Sequence, residues 1–288
     1  MRKNNKNKTN NLFINKIANE VFSKGYALVP DLISSNLCDT LTKKLENSYL
    51  QYHKKYYHNV KKGIKLNSLQ NKNSEKTVYN LHNKDLIWFK IFENKTVLKI
   101  LDIILKKGSY QNNEPYYLSN ISARCPMNST KPQQLHIDSL LPGVNYMITV
   151  NVIWMLEDFT KKNGATRIVP MSFKKKSYPK NNKIYRNEKI IEGKKGSVLI
   201  FNPSLWHGSS KTLIDDNIRW GVALGYSRWW KKPSFDFMKN TPKKIYNKLT
   251  KKQKELLGFY SVPPKCEFTR STRRSNYPEV PENYSLPK

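Results

Sequence analysis

Hydrophobic positions recur with a helical period in the N-terminal part of the chain. Apolar residues at positions 12–22 return every three or four places, which predicts an amphipathic helix that ends at Gly25. A short strand-like run follows at 26–30. The leucine spacing beyond it predicts a second helix with Ser34 or Ser35 as its N-cap, and we expect this helix to pack outside a sheet.

The helical period continues to residue 107 with one interruption. The stretch 51–76 is polar, rich in lysine and without a clear period, which predicts a loop or a lid. Two further helices are predicted at 84–92 and 95–107 around Asn94, and Gly108 ends the second of them.

Beyond residue 108 the pattern changes to short runs of alternating and β-branched residues, separated by Pro, Gly and Asn turns. The predicted strands are 116–125, 134–138, 147–156, 166–169, 188–191, 197–201 and 218–229. Short strands at this density, without helices between them, favour a sandwich or a closed barrel. A last helix is predicted at 244–257, where Gly258 ends it.

These elements indicate one domain at 12–260, with its β core at about 116–230. The basic, Asn-rich segment 1–11 is expected to be a disordered tail, and the Pro-rich segment 261–288 is expected to extend along the surface.

The formal net charge is +31, from 52 Lys and Arg against 21 Asp and Glu. The excess is almost all lysine, and these lysines are dispersed along a chain that is also rich in asparagine. This pattern favours compositional drift over a site that binds a polyanion, so we expect no specific nucleic-acid partner. No apolar run reaches the roughly 18–20 residues of a membrane span, and no secretory signal is visible, so a cytoplasmic protein is expected. Cys38, Cys125 and Cys266 lack the C-x-x-C spacing of a zinc site.

Candidate chemistry begins at His136 and Asp138, which a strand would point to the same side while Ile137 points to the other. A second imidazole, from His207 after the strand at 197–201, would complete a face of two histidines and one carboxylate. That ligand set suits non-haem Fe(II) and leaves positions open for other ligands.

Two later residues extend this interpretation. Arg219 opens an apolar strand twelve residues after His207, and its fork of N–H donors can hold a carboxylate. Trp154 supplies an aromatic wall. A surface arginine and a core tryptophan are the ordinary alternatives, and the order of these residues behind His136 favours the functional interpretation.

The chain resembles the phytanoyl-CoA dioxygenase family of Fe(II)/2-oxoglutarate oxygenases over about 12–230. The resemblance rests on His136–Ile137–Asp138, on 154–160 leading to 163–166 and 169–172, on Gly196 through His207 to Arg219, and on the F-x-x-x-G-Y opening at Phe22. It implies a double-stranded β-helix, or jelly-roll, core with N-terminal helices packed outside.

The resemblance also implies roles for single residues. His136, Asp138 and His207 correspond to the iron ligands, Arg219 and Ser209 to the clamp for the distal carboxylate of 2-oxoglutarate, and Trp154 to a co-substrate-pocket residue. Phe173 departs from the family, because many members have histidine there, but that position is not a metal ligand.

The implied reaction consumes O2, decarboxylates 2-oxoglutarate to succinate and hydroxylates a small molecule, and ascorbate is expected to stimulate it. Halogenating relatives have Gly or Ala in place of Asp138, so hydroxylation is predicted here. Basic residues such as Arg124 favour an anionic substrate or a CoA thioester. A cupin-like isomerase or binding module without 2-oxoglutarate turnover, and an oxygenase that acts on nucleic acid, are the alternatives.

Overall fold

A computed structural model describes residues 2–61, 75–109, 112, 115–127, 132–139, 146–175, 177–214 and 218–261. The predicted C-terminal tail therefore lies outside the described residues, except for Ser261. Within the described part of the chain, we find no helix that is both long enough and apolar enough to cross a membrane.

Two long helices precede the β core. Helix α1 spans Arg2–Lys24 and helix α2 spans Ser35–Lys61. Helix α1 thus begins within the segment 1–11 for which a disordered tail is predicted, and no Pro or Gly interrupts the helix there. The predicted loop at 51–76 is likewise helical to Lys61. Ser34 is the N-cap of α2, because its hydroxyl accepts a hydrogen bond from the Leu37 amide at 3.3 Å.

The remaining helices are shorter: α3 is Phe89–Phe92, α4 Lys95–Lys106, α5 Phe237–Asn240, α6 Lys243–Tyr246 and α7 Lys251–Leu256. Asn94 caps α4 by accepting from the amides of Thr96 and Val97. The single helix predicted at 244–257 is wrong, because Thr250 and Gln253 form a capping box that begins α7 anew.

In the described residues, nine strands form two antiparallel sheets. They are β1 Tyr26–Val29, β2 Glu75–Tyr79, β3 Tyr116–Pro126, β4 Thr149–Met155, β5 Thr166–Ile168, β6 Lys189–Ile191, β7 Val198–Phe201, β8 His207–Ser209 and β9 Gly221–Arg228. The larger sheet has the order β1-β7-β4-β9-β3-β2 and the smaller β6-β5-β8. This arrangement, with its helices outside, confirms the predicted jelly-roll class.

The two faces of the larger sheet have different partners. Side chains at alternate positions of β4 and β9, among them Val152, Trp154 and Leu224, join the main core together with residues of α1, α2 and α4. The other face lines the interior of the jelly roll. A smaller apolar cluster, which includes Met155, Phe159 and the β5 residue Ile168, fills one part of that interior. Residues of β4 therefore alternate between core and interior.

Candidate metal centre

Backbone pairing brings the segment around His136 against strand β8. The His136 amide donates to the His207 carbonyl at 2.9 Å, and the His207 amide donates to the His136 carbonyl at 3.0 Å. The Asp138 amide donates to another backbone carbonyl at 2.9 Å. Gly208 permits this close approach, because a Cβ atom there would lie only 3.1 Å from the Gln133 carbonyl oxygen. The predicted strand at 134–138 is thus a single bridge.

Three side chains converge where these segments meet. His136 Nε2 lies 3.5 Å from Asp138 Oδ1, and His207 Nε2 lies 3.3 Å from Asp138 Oδ2. One ligand atom from each residue lies within 4.8 Å of the other two, a spacing that can hold a metal ion. His207 is buried, whereas 45% of the Asp138 side chain is exposed, so the group opens to one side.

Hydrogen bonds on the far side of each ring fix its tautomer. His136 Nδ1 donates to the Gln134 carbonyl at 3.1 Å, and His207 Nδ1 donates to the Leu205 carbonyl at 2.8 Å, since a carbonyl oxygen can only accept. In its neutral form, each ring therefore carries its lone pair on Nε2, on the side that faces Asp138. Such bonds to metal-binding histidines set ring orientation and raise the basicity of the ligand.

Asn151 holds the carboxylate. Its Nδ2 donates to Asp138 Oδ2 at 2.6 Å from the interior face of β4. Asp138 is itself fixed at its backbone amide, so both ends of this short residue are held. The carboxylate cannot swing away from the two imidazoles without losing the amide hydrogen bond.

The charges of the group are coupled. Burial alone would raise the pKa of Asp138, but the imidazoles of His207 and His136 outweigh it and hold that pKa well below its usual range. Burial alone would lower the pKa of His207, and the Asp138 carboxylate outweighs it and raises that pKa. The site thus holds an ionised carboxylate at neutral pH, and protons compete with any metal for the imidazoles.

These residues lie on the wall of a cavity of about 770 Å³. Strand β9 contributes Gly221, Ala223 and Gly225, which occupy alternate positions and carry little or no side chain. Strand β4 contributes Asn151 and Ile153 from its interior face. The volume lies within the range of small-molecule sites, and the small residues of β9 leave room beside the histidines.

Arg219 and Thr212 share another part of the cavity wall. The guanidinium of Arg219 is buried, stacks 3.9 Å from the ring centroid of Phe159 and donates from Nη2 to the Gly164 carbonyl at 2.7 Å. The hydroxyl of Thr212 is buried and has no hydrogen-bond partner among the described residues. A buried hydroxyl without a partner destabilises the protein unless something binds it, so this end is suited to a polar ligand.

The co-substrate residues predicted from the sequence separate into two groups. Arg219 and Ser209 both lie on the cavity wall. Trp154 does not: its side chain is fully buried in the main core, on the face of β4 opposite Asn151 and Ile153. Trp154 thus lies on the core face of β4, because neighbouring strand positions point to opposite faces, and its role as a co-substrate-pocket residue stays a prediction.

The cavity residues that the sequence analysis missed include Asn151, Thr212 and Lys231. Asn151 was visible as a polar residue at strand spacing from Ile153, inside an otherwise apolar strand. Thr212 lies outside any regular strand, so no period marked it. Lys231 stands in a chain so rich in lysine that one more carried no signal.

The ligand set fits Fe(II). Two neutral imidazoles and one carboxylate on one face are the donors that non-haem Fe(II) oxygenases use, with further coordination positions open. The lone pairs of both Nε2 atoms are directed inward by the hydrogen bonds on Nδ1, and the carboxylate is ionised. The cavity beside them, with a buried guanidinium and an unpartnered hydroxyl, fits a dicarboxylic co-substrate.

Comparisons with known proteins agree with this geometry. The family profile of phytanoyl-CoA dioxygenase (PhyH) matches residues 22–216. The uncharacterized protein Rv1501 of Mycobacterium tuberculosis is 23% identical over 176 residues, which are 60% of this chain and 63% of that protein. Dioxygenase af480 of Aspergillus fumigatus is 28% identical over 193 residues, which are 64% of this chain and 59% of that protein. The chain thus spans less than two thirds of these relatives.

Two solved structures share the fold. HygX from Streptomyces hygroscopicus, with nickel and 2-oxoglutarate bound, superposes with a TM-score of 0.58 at 14% identity over 76% of this chain and 88% of HygX. The epimerase SnoN, in complex with Fe3+, alpha ketoglutarate and nogalamycin RO, superposes with a TM-score of 0.55 at 12% identity over 81% of this chain and 91% of SnoN.

Proposed function

This chain belongs to the phytanoyl-CoA dioxygenase family, and from that premise we propose that it is an Fe(II)- and 2-oxoglutarate-dependent dioxygenase that hydroxylates a small molecule. The observation that carries the proposal is the convergence of His136, Asp138 and His207 on the wall of one cavity with Arg219. A metal-binding module alone would not need a buried guanidinium on that wall.

Each residue of the proposed metal site has its own role. His136 and His207 each offer Nε2 to the metal, and Asp138 offers a carboxylate that Asn151 holds in place. When bound, Fe(II) with 2-oxoglutarate and O2 supplies the oxidising chemistry, with succinate and CO2 as co-products.

The Arg219 end of the cavity would hold the distal carboxylate of the co-substrate. Phe159 packs beneath the guanidinium and the Gly164 carbonyl orients it, so the guanidinium is held in place before any ligand binds. The Thr212 hydroxyl can donate to the same carboxylate, and Ser209, two residues beyond His207, lies on the same wall. Burial strengthens these interactions because little water screens them.

The size of the cavity supports a small-molecule substrate over a polymer. HygX has been crystallised with hygromycin B and SnoN with nogalamycin RO, and both superpose on most of this chain. By this likeness we propose a small molecule here as well. The cupin-like alternative requires no acid clamp, whereas this cavity has a cation and an orphaned hydroxyl together.

The proposal is tested by incubating the protein with Fe(II), 2-oxoglutarate, O2 and ascorbate and measuring succinate, with metal and 2-oxoglutarate affinities from calorimetry. We expect Asp138→Ala to lose metal binding and succinate formation. Arg219→Ala should retain the metal but weaken 2-oxoglutarate binding by about tenfold or more, because a charged hydrogen bond is lost.

Arg228→Ala is the matched control, since Arg228 is as buried as Arg219 and also donates to backbone carbonyls, but lies outside the cavity wall. It should cost folding stability without changing 2-oxoglutarate affinity. Metal binding without any 2-oxoglutarate binding would favour the cupin-like alternative. Chlorinated product formed in chloride buffer would contradict the assignment of hydroxylation to a site that carries Asp138.

A further inference from the structure

The cavity wall carries three cationic side chains among the residues that the structure describes: Arg124, Arg219 and Lys231. Arg124 Nη1 donates to Glu75 Oε1 at 2.6 Å, so its charge is neutralised within the wall. Arg219 donates to two backbone carbonyls and belongs to the co-substrate end of the proposed site.

Lys231 differs from both. Its ammonium makes no hydrogen bond or ion pair with the part of the chain described here, although the residue is only half exposed. Its backbone is nevertheless held on both sides, because the Lys231 amide donates to the Arg228 carbonyl at 3.0 Å and the Tyr117 hydroxyl donates to the Lys231 carbonyl. The main chain of Lys231 is thus held by hydrogen bonds, whereas its ammonium group has no partner in the described residues.

Lys231 lines the same cavity as Asp138. Burial lowers the pKa of Lys231, and the Asp138 carboxylate partly opposes that effect. A half-buried ammonium without a partner has lost hydration that nothing in the described chain replaces. An anion arriving at this position would restore the lost interaction.

The charge balance of the site with metal and 2-oxoglutarate bound also favours an anion at Lys231. The carboxylate of Asp138 and the two negative charges of 2-oxoglutarate are together matched by a divalent metal and Arg219. Glu75 is matched by Arg124. Lys231 is then the one charge of the described wall without a counterpart, and a buried uncompensated charge is costly.

We propose that Lys231 binds an anionic group of the primary substrate, a carboxylate or a phosphate, and so holds the substrate beside the metal. The proposal rests on the oxygenase function proposed above and adds the substrate class to it. It also removes Arg124 from that role, because the guanidinium of Arg124 is already committed to Glu75. The cavity is large enough for a second small molecule beside 2-oxoglutarate.

Three fluorinated probes test this assignment: 4-fluorobenzoate, its neutral amide 4-fluorobenzamide, and 4-fluorophenyl phosphate. Each is titrated into protein loaded with Mn(II), a stand-in for Fe(II), and saturated with 2-oxoglutarate. Fluorine relaxation then reports both affinity and nearness to the paramagnetic ion. We expect the anions to bind near the metal at least about tenfold more tightly than the amide, as a charged hydrogen bond allows.

Lys231→Met removes the charge and keeps the length of the side chain, so it should abolish the preference for the anions and leave binding of the amide unchanged. Lys231→Arg should retain most of the preference. Lys232→Met is the matched control, because Lys232 is the neighbouring lysine, is exposed and lies off the cavity wall. The stronger of the two anions identifies carboxylate or phosphate as the recognised group.

Equal binding of acid and amide to the wild-type protein would overturn the proposal, as would equal losses in Lys231→Met and Lys232→Met. Calorimetry of 2-oxoglutarate binding, run on the same samples, separates this result from the oxygenase assignment. If 2-oxoglutarate fails to bind to the wild-type protein, the proposed function fails. If it binds equally to wild type and Lys231→Met while the anion preference is missing, only the role of Lys231 fails.

Discussion

At the scale of single residues, Asn151 shows how a side chain outside the ligand set can control the metal. Its amide is the hydrogen-bond donor that fixes Asp138 Oδ2. We predict that Asn151→Ala lowers metal affinity by roughly 10–100-fold, as loss of such supporting bonds does at other metal sites. Calorimetry with Mn(II) measures this. Asn120→Ala is the control, because Asn120 also lines the cavity but its amide donates to the Ser122 hydroxyl and the Ala223 carbonyl, and not to Asp138.

Substitution of Thr212 is predicted to affect folding stability and 2-oxoglutarate binding in opposite directions. Thr212→Val keeps the shape of the side chain and removes a buried hydroxyl that lacks a partner in the described structure, so the free energy of unfolding should stay equal or rise. The same change should weaken 2-oxoglutarate binding by about tenfold, because a charge-assisted hydrogen bond is lost. Thr212→Ser should retain affinity. Unchanged affinity in Thr212→Val would remove Thr212 from the co-substrate site.

The residues of the site were predictable to the extent that they follow one another in the chain with a fixed spacing. The pair at 136 and 138 could be assigned to one side from strand geometry. The position of Arg219 on the cavity wall could not be derived from a pairing with the strand of His207, because β8 and β9 belong to different sheets. The placement of Trp154 in the main core could not be derived from the sequence, because residue type does not tell which face of a central strand is interior. That choice depends on Asn151, whose partner is distant in sequence.

At the scale of elements, His82 joins two segments that are far apart in the chain. It lies in a 3₁₀ turn at Leu81–Asn83, and its Nε2 donates to Asn240 Oδ1, at the end of α5, at 2.8 Å. Burial lowers the pKa of His82 from 6.5 to about 4. Between these values the unfolded chain takes up a proton that the folded protein does not, so stability falls as the pH falls.

We predict that His82 costs the folded protein about 2 kcal/mol of unfolding free energy on going from pH 8 to pH 5. His82→Gln keeps an amide donor for Asn240 and does not titrate, so its stability should fall less over the same range. Urea unfolding at both pH values gives the comparison. The same pH dependence in both proteins would show that His82 is not responsible.

Element existence was more predictable than element boundaries. Strong periods at 12–22 and 95–107 identified helices α1 and α4, and caps such as Asn94 placed one start correctly. Strand β8 could not be seen because its sequence, His207–Gly208–Ser209, has no alternating apolar pattern, and its pairing partners, β5 and His136, are distant in the chain. The break before α7 depends on Thr250, whose threonine hydroxyl is unremarkable in sequence until it accepts the Gln253 amide.

At the scale of the whole molecule, the net charge of +31 predicts binding to nucleic acid that does not depend on base sequence. The protein should bind random-sequence duplex DNA weakly, with affinity that falls steeply between about 50 and 200 mM salt through counterion release. Fluorescence anisotropy over that range measures it. DNA should leave the affinity for 2-oxoglutarate unchanged. Competition between DNA and 2-oxoglutarate turnover would instead favour an oxygenase that acts on nucleic acid.

The small residues on the interior face of β9 mean that substitutions on this one strand can change the volume of the cavity. A Cβ atom on Gly221 would lie 2.8 Å from Phe159 and one on Gly225 would lie 3.1 Å from the Ser119 hydroxyl, so both positions resist enlargement. Ala223 lies between them on the same wall and already carries a methyl group. Longer side chains at this position would shorten the molecules that the cavity admits, so a graded series of substitutions there would measure the length of the bound molecule.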